Sequence, residues 1–305
     1  MAIGERGVIV LSDDNGQTWH QAEVPASLTL TAVSFPTPND GWAVGHGGLV
    51  LHSSDGGQKW VRQIDGANEA KLELDAAKTA FAQDPRAEAR LKDATRAVAE
   101  GPDTPLLAVH FWDAMHGMVI GAYGRLLTTQ DGGQRWRSQP DLIDNPKERH
   151  LYGLFVDGTH VLIAGEQGSL YRSDDNGSSF KTVQMPYTGT FFGVTGRIDH
   201  EIVVYGLRGN AFASTDGGST WAKADPALPS TLTAGIQLDD GSILLTDESG
   251  QVMRSNASGT AFRPMPIPLP FSFTGAVVAK DGALVLTGIR GALRLPSTIF
   301  ASPRS

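Results

Sequence analysis

A repeat of about 41 residues constrains this chain more than any other feature. The pattern S/T-x-D-x-G-x-x-W/F occurs five times, as Asp14/Gly16/Trp19, Asp55/Gly57/Trp60, Asp131/Gly133/Trp136, Asp175/Gly177/Phe180 and Asp216/Gly218/Trp221. A sixth copy, Ser255 to Phe262, has Ala257 in place of the Asp. Eight residues before each copy begins a G-x-x-G: Gly4/Gly7, Gly45/Gly48, Gly121/Gly124, Gly165/Gly168, Gly206/Gly209, a weakened Asp247/Gly250, and a seventh, Gly288/Gly291. A small residue in an apolar run lies 12 or 13 residues further upstream, at Ala32, Ala108, Gly153, Gly193, Gly235 and Gly275. Successive G-x-x-G motifs start 41, 76, 44, 41, 41 and 41 residues apart.

Each unit reads as four short strands. The first carries the small residue, the second ends at G-x-x-G, the third follows it, and the fourth starts at the Trp or Phe. Short strands with glycine turns at this period predict an all-β fold, a seven-bladed β-propeller of four-stranded antiparallel blades. The end units are incomplete. The chain enters at a second strand and closes with a first, second and third. Six first-strand motifs against seven G-x-x-G motifs predict a native chain that extends upstream with a leader and one more strand.

The 76-residue interval holds the one non-repeat element, roughly Asn68 to Pro105. Its two halves are rich in Ala, Glu, Lys, Arg and Leu, which favour helix. Asp84-Pro85 reads as an N-cap with Pro at the first helical position, and Gly101-Pro102 as a stop. The expectation is a helical hairpin over 66–104, inserted into a single propeller domain over 1–305. Its thin apolar stripe is Leu72, Ala76, Phe81, Leu91, Ala94 and Val98.

Composition removes several function classes. A net charge of −8 argues against nucleic acid as a partner. The chain has no Cys, so disulfides and thiolate metal sites are excluded. The eight His show no metal-ligand spacing, and no metal or cofactor is expected. No apolar run approaches the ~18 residues of a membrane span.

The Asp motif suggests chemistry when met singly. Repeated, it reads as structure. The Gly suits a position needing φ > 0, the Asp accepts backbone N–H groups within the turn, and the aromatic packs between hairpins. Calcium wants six to eight oxygens, and a catalytic centre is one constellation rather than five copies. The G-x-x-G turns lack the following helix of a dinucleotide site. In up-and-down blades these turns share an end with the blade-to-blade crossings, so the hairpin belongs there too, opposite the Asp motif. Arg6, His46, Tyr123, Arg125, Arg208 and Arg290 sit in or beside the turns. Arg and aromatic residues are favoured at interfaces, and these six are the candidate partner-binding residues.

S/T-x-D-x-G-x-x-W is the Asp-box, or BNR repeat, of sialidases and related propellers. The stretches "GWAVGHGGLVLHSSDGGQKW" and "GMVIGAYGRLLTTQDGGQRW" resemble the photosystem II stability/assembly factor family and its bacterial relatives outside photosynthesis. The likeness covers nearly the whole chain except the hairpin. It implies a non-enzymatic, exported or periplasmic assembly factor that is not itself transmembrane and binds a membrane protein or membrane-associated complex, here an exporter. It also implies a basic patch, onto which Arg6, Arg125, Arg208 and Arg290 map by turn position. The rival is a glycan-active or glycan-binding propeller of the sialidase type. Against it, "FRPMP" at Phe262 is late in the chain, Tyr is scarce, and no carboxylate pair stands out.

Overall fold

The computed structural model describes residues 1–100, 103–226, 228–256 and 260–300, without the side chains of Arg86 and Glu100. Seven antiparallel sheets follow one another along the chain, the blade number that the repeat predicts. The second runs Leu30–Ser34, Gly41–Gly45, Leu49–Ser53 and Val61–Ile64, and the third Leu106–Phe111, Gly117–Gly121, Leu126–Thr129 and Arg137–Ser138. The fourth, fifth and sixth repeat this four-stranded order. The first sheet (Ala2–Ile3, Ile9–Leu11, His20–Gln21) and the seventh (Phe273–Val278, Leu284–Gly288, Gly291–Leu295) have three strands each among the described residues. The chain divides into two compact units, Met1–Leu11 with His20–Leu151, and Ser12–Trp19 with Tyr152–Ser305.

The three sequence motifs are parts of one device. The first strand has a register shift at Leu30/Ala32, Leu106/Ala108, Phe191/Gly193, Leu232/Ala234 and Phe273/Gly275. Such a bulge bends the strand toward its partner. The first Gly of G-x-x-G lies against that bend. A Cβ at Gly45, Gly121, Gly206 or Gly288 would stand 2.1–2.4 Å from the carbonyl oxygens of Thr29, Pro105, Thr190 and Ser272. Close approach, not φ, demands glycine here, because Gly121 and Gly206 are extended at φ −166° and −177°. In the second unit the small-residue positions let the first strands of adjacent sheets meet. A Cβ on Gly153 would lie 2.8 Å from Gly193 Cα, and one on Gly235 2.7 Å from the Tyr205 ring.

The start of the fourth strand is corrected by one residue. Trp19, Trp60, Trp136, Phe180 and Trp221 do not open that strand but stand just before it. The strands begin at His20, Val61, Arg137, Lys181 and Ala222. The aromatic therefore closes the turn, and the strand's ladder starts only once the ring has been placed.

The core lies between successive sheets. In the first unit Trp42 stacks on Phe111, with Val44, Val119 and Trp136 in the same cluster. In the second unit, Leu162, Phe191, Val204 and Phe212 form one such cluster, and Phe273, Leu284 and Leu286 belong to another. These strands are buried on both faces, hence their unbroken apolar runs.

Adjacent sheets are also joined by a recurring hydrogen bond. The residue before the Asp-box Gly turns its carbonyl toward the preceding sheet. Gly132 O accepts from Gln63 Nε2 at 2.8 Å, Gly217 O from Arg172 Nη1, and Asn15 O from Arg294 Nε at 2.9 Å. In three copies the N–H of the same position donates within its own sheet's turn end: Gly56 to Asn39 O, Gly132 to Met115 O and Asn176 to Thr159 O, each at 2.9 Å. Left-handed φ at Asn15, Gly132 and Gly217 (62°, 70° and 69°) orients this residue's carbonyl. Arg294 thereby holds the turn 12–19 within the second unit.

The insertion forms two helices, α1 (Gly66–Gln83) and α2 (Glu88–Glu100). Asp65 caps α1 by accepting from Asn68 N at 3.0 Å. Asp84-Pro85 does not open α2 directly. Asp84 closes α1, its carbonyl accepts from Ala87 N, and Pro85–Ala87 makes a 3-10 turn before α2 starts at Glu88. The expected stripe is also corrected. Phe81 and Val98 are exposed, and the buried positions of α1 are Gly66, Glu69, Ala70, Glu73 and Ala77. Gly101-Pro102 and the altered sixth Asp-box around Ala257 and Gly259 lie outside the described residues.

Candidate partner-binding face

The first five G-x-x-G turns hold their second inner residue in the left-handed region. Arg6, Tyr123, Gln167 and Arg208 have φ of 55°, 54°, 53° and 55°, and Gly47 takes the same place at 63°. For non-glycine residues this is a sparsely populated conformation that costs on the order of 1 kcal/mol each. The last Gly of the motif makes it unavoidable. A Cβ at Gly7, Gly168 or Gly209 would lie 1.6–2.0 Å from the carbonyl oxygen of Ala26, Tyr187 or Leu228 in the adjoining crossing. The turn is fixed from both sides, and its tip residue is held in one direction.

In the first unit, Arg6, His46 and Tyr123 are exposed at these tips. Tyr123 meets His150 edge to face, with centroids 4.7 Å apart. Arg208 and Arg290 are exposed in the second unit. Arg6, Arg208 and Arg290 have no carboxylate partner among the described residues, whereas arginines at the opposite end of the sheets do. Arg172 pairs with Asp174, Arg254 with Asp240 and Arg294 with Asp281. The seventh turn differs from the others. Gly288 pairs with Gly291, which leaves Ile289-Arg290 as a two-residue loop.

Arg125 is a correction to the exposed set. Its side chain is mostly buried, with Nε 2.9 Å from Glu69 Oε1 and Nη1 3.6 Å from Glu73 Oε1. Glu73 Oε1 also accepts from Arg90 Nε at 2.9 Å, and Glu73 Oε2 from Ser138 Oγ. Arg90 Nη1 then spans both oxygens of Asp141 at 2.9 and 3.0 Å. Burial raises the pKa of Glu69, and the Arg125 charge opposes that rise. This network ties α1, α2, the third turn and the crossing after the third sheet into one body. Sequence reading missed Glu69, Glu73, Arg90, Ser138 and Asp141. The available signal was spacing, since Glu69 and Glu73 share a helix face with Ala70 and Ala77, all of them buried.

The Asp-box carboxylates are engaged in their own turns. Asp14 Oδ1 accepts from Ser12 Oγ, Gln17 N and Thr18 N, and Oδ2 from Thr18 Oγ1. The pattern recurs at Asp55, Asp131, Asp175 and Asp216. The Thr220 hydroxyl, followed by its N–H, lowers Asp216 to about 2, and the Ser173 and Ser179 hydroxyls lower Asp175 to about 2. The Thr18 hydroxyl pushes Asp14 lower still. Backbone N–H groups of Lys59 and Arg135 lower Asp55 and Asp131.

The glycines of the same turns stand in the left-handed region, as their place in the motif requires. Gly16, Gly57, Gly133, Gly177 and Gly218 have φ of 85°, 89°, 81°, 76° and 85°. Each gives its N–H to the hydroxyl that opens the motif. Gly16 donates to Ser12 Oγ at 2.7 Å, Gly133 to Thr129 Oγ1 and Gly177 to Ser173 Oγ at 2.9 Å. The hydroxyl in turn donates a hydrogen bond to the Asp, so Gly, Ser or Thr, and Asp form one hydrogen-bonded chain in each of the five boxes.

The aromatics are less uniform than the motif suggests. Trp60 and Trp136 are buried, whereas Trp19, Phe180 and Trp221 are half-buried, Trp221 packing against the cluster of Leu162, Phe191 and Phe212. Trp60 and Trp221 donate Nε1–H to Gly57 O and Gly218 O at 2.8 and 3.1 Å. Phe180 has no ring N–H, so its box lacks this bond to Gly177 and is held by the bonds from Ser173 and Ser179 to Asp175.

Among the described residues no group of three His, Asp or Glu is placed to hold a metal, and no helix is long and apolar enough to cross a membrane.

The family model for "Photosynthesis system II assembly factor YCF48" matches residues 1–80 and 92–188. The chain belongs to this family. It is 32% identical over 140 residues to the photosystem II assembly protein Ycf48 of Synechococcus sp. (strain JA-2-3B'a(2-13)), covering 40% of each protein. It is 33% identical over 76 residues to the photosystem II assembly lipoprotein Ycf48 of Synechococcus sp. (strain CC9902), covering 24% of this chain and 22% of the relative. The match thus spans less than half the length of either relative. The solved structure of YCF48 bound to D1 peptide superposes with a TM-score of 0.67 at 18% identity, over 97% of this chain and 86% of that one. The GH74 xyloglucanase from Xanthomonas campestris shares the fold at a TM-score of 0.63 and 14% identity, over 90% of this chain and 46% of its own.

The YCF48 family match includes α1 up to residue 80 and resumes within α2 at residue 92. Glu69, Glu73 and Arg125 therefore fall inside the matched stretches, whereas Arg90 falls in the gap between them. Arg6, His46 and Tyr123 are also inside, and Arg208 and Arg290 lie beyond its end.

Proposed function

We propose that this member of the YCF48 family is a non-enzymatic assembly or accessory factor that holds a membrane protein through the G-x-x-G turn ends of its sheets. The observation that carries the reading is the set of exposed arginines at the turns, without carboxylate partners among the described residues, two of them on strained and doubly braced turns. Arg6 and Arg208 occupy left-handed backbone, and Arg290 tips a tight loop. A guanidinium held in place without an internal partner loses less freedom on binding an anionic group than a mobile one would. The relatives support the direction of the reading, since one is named as an assembly lipoprotein and another was solved with a peptide of D1. The setting that we propose is periplasmic or otherwise exported, with an exporter complex as the membrane partner.

Non-enzymatic action fits the state of the carboxylates. Those of the Asp-boxes are saturated with hydrogen bonds and held ionised, which leaves no proton for general-acid work near neutral pH. The hairpin, fixed to the third turn through Glu69 and Arg125, extends the turn end rather than gating it.

The test is affinity capture from detergent-solubilised membranes with wild type and with Arg6→Glu/Arg208→Glu/Arg290→Glu. The expected result is a specific membrane protein retained by wild type and lost with the triple variant, at unchanged melting temperature. Equal retention by both proteins, or hydrolysis of a glycan substrate by wild type, overturns the proposal.

A further inference from the structure

The last fifth of the chain has a charge balance unlike the rest. From residue 249 onward there are six Lys or Arg and one acid, Asp281, in a protein of net charge −8. Of these bases, Arg254 and Arg294 are neutralised at the Asp-box end by Asp240 and Asp281. Arg263 pairs across the sixth sheet with Arg254 and so stands toward that same end, which leaves Arg290 as the base exposed at the turn end without a carboxylate partner among the described residues. The exposed carboxylate of the neighbouring sixth turn, Glu248, is occupied in accepting from Thr231 N at 3.0 Å.

Two large apolar side chains stand out beside Arg290. Ile289 is 76% exposed and Leu269 64%, the highest values among the large exposed hydrophobics. They belong to one surface, because the strap that carries Leu269 ends at Ser272, whose carbonyl accepts from Ile289 N at 3.3 Å. The strap reads Pro264-Met-Pro-Ile-Pro-Leu-Pro270, with every second residue Pro. Met265, Ile267 and Phe271 pack on the core of the last sheets. By that alternation Leu269 belongs inside, yet a bend turns it out. Four prolines fix φ along the strap, so Leu269 is presented at little entropic cost.

We infer that this surface contacts an anionic lipid bilayer: Ile289 and Leu269 enter the headgroup boundary while Arg290 pairs with a lipid phosphate. Shape favours lipid over a protein. Apolar anchors of protein interfaces sit in packed pockets, whereas Ile289 is the convex tip of a two-residue loop. A lipid surface accepts such a tip, and a shallow apolar contact needs neighbouring basic charge to hold. The inference rests on Leu269, Ile289 and Arg290 alone. It stands or falls separately from the capture of a protein partner, since the test uses vesicles without protein.

The experiment is co-sedimentation with phosphatidylcholine vesicles and with equimolar phosphatidylcholine/phosphatidylglycerol vesicles, paired with an Ile289→Trp variant read by fluorescence and brominated-lipid quenching. Wild type is expected to bind the anionic vesicles selectively and to be released by salt. The new Trp is expected to shift to the blue and be quenched. Arg290→Gln should weaken partition about fivefold, and Leu269→Asp/Ile289→Asp should abolish it while leaving the circular dichroism unchanged. No selectivity for anionic vesicles overturns the inference. So does unshifted Trp emission. Retained binding by the double Asp variant shows attraction to any polyanion, and capture of a membrane protein without vesicle binding shows a protein surface; either result also overturns it.

Discussion

Among single residues, Glu201 is the least satisfied. It precedes the second strand of the fifth sheet, is 4% exposed, and neither carboxylate oxygen has a hydrogen-bond partner among the described residues. Burial pushes its pKa up from 4.5 to about 7. The folded protein therefore keeps a proton that the unfolded chain releases. Stability falls as pH rises from about 4.5 to about 7 and levels off above that. Glu201→Gln should remove this fall, a relative gain on the order of 3 kcal/mol between pH 4 and pH 8. Urea unfolding at the two pH values reads it, and a parallel dependence in both proteins would show the carboxyl to be solvated. Nothing in the sequence marks Glu201, because its isolation depends on which neighbours fail to reach it. The Asp-box carboxylates were legible for the opposite reason. Their donors lie within four residues along the chain, so the motif contains its own explanation. The burial of the box aromatics was not legible, because Trp136 and Phe180 hold the same place in the motif but meet different neighbours.

At the scale of elements, the hairpin is where reading and structure part most. Helix composition and length were visible in the residue types. The docking mode was not, because a buried ionic network joins the apolar contacts of Leu72, Ala70 and Ala77. Glu73 is 2% exposed and answers to two guanidinium groups and a hydroxyl from three other elements. Removing one member of a buried charge cluster strands the others. Glu73→Ala is expected to cost about 3–5 kcal/mol, measured by urea unfolding, with protection of α1 and α2 amides lost first in hydrogen exchange. Adding Arg90→Met should recover part of the loss, which a purely steric defect would not allow. The strands were legible almost throughout, since bulge, glycine and small residue repeat in fixed register. Arg125 was misplaced because turn position does not reveal that a helix from the insertion covers it.

For the whole molecule, charge is sorted by end of the sheets. Carboxylates at the Asp-box end are engaged by hydroxyls, backbone N–H groups and arginines, and several carry lowered pKa values. A lowered carboxylate favours the folded state above its unfolded pKa, and that contribution disappears as pH falls through the folded value. For Asp175 and Asp216 the window runs from the ordinary 3.8 down to about 2. The protein should gain melting temperature on acidification from about pH 7 to about pH 4.5, as Glu201 takes up its proton, then lose it steeply toward pH 2 as the Asp-box carboxylates are protonated. Asp175→Asn/Asp216→Asn should be less stable at neutral pH and have a shallower acid limb, read by scanning fluorimetry across pH. An acid limb of unchanged steepness would remove these turns from the account. The blade number came directly from counting motifs. Partner class did not, because turn-tip residues are free of the packing constraints that make a repeat visible.

Gly132, the residue before an Asp-box glycine, gives its N–H to its own sheet and its carbonyl to the sheet before it, and one or the other bond recurs at the same place in other copies. A copy of the 41-residue unit made by gene duplication therefore arrives with the acceptor half of its joint already built. The neighbour needs to supply one donor, and Gln63, Arg172 and Arg294 show that its identity is loosely specified. Units joined this way are free to diverge at their turns while remaining interchangeable at their seams. An insertion as large as α1 and α2 is tolerated for the same reason, because it enters at a crossing and leaves every seam untouched.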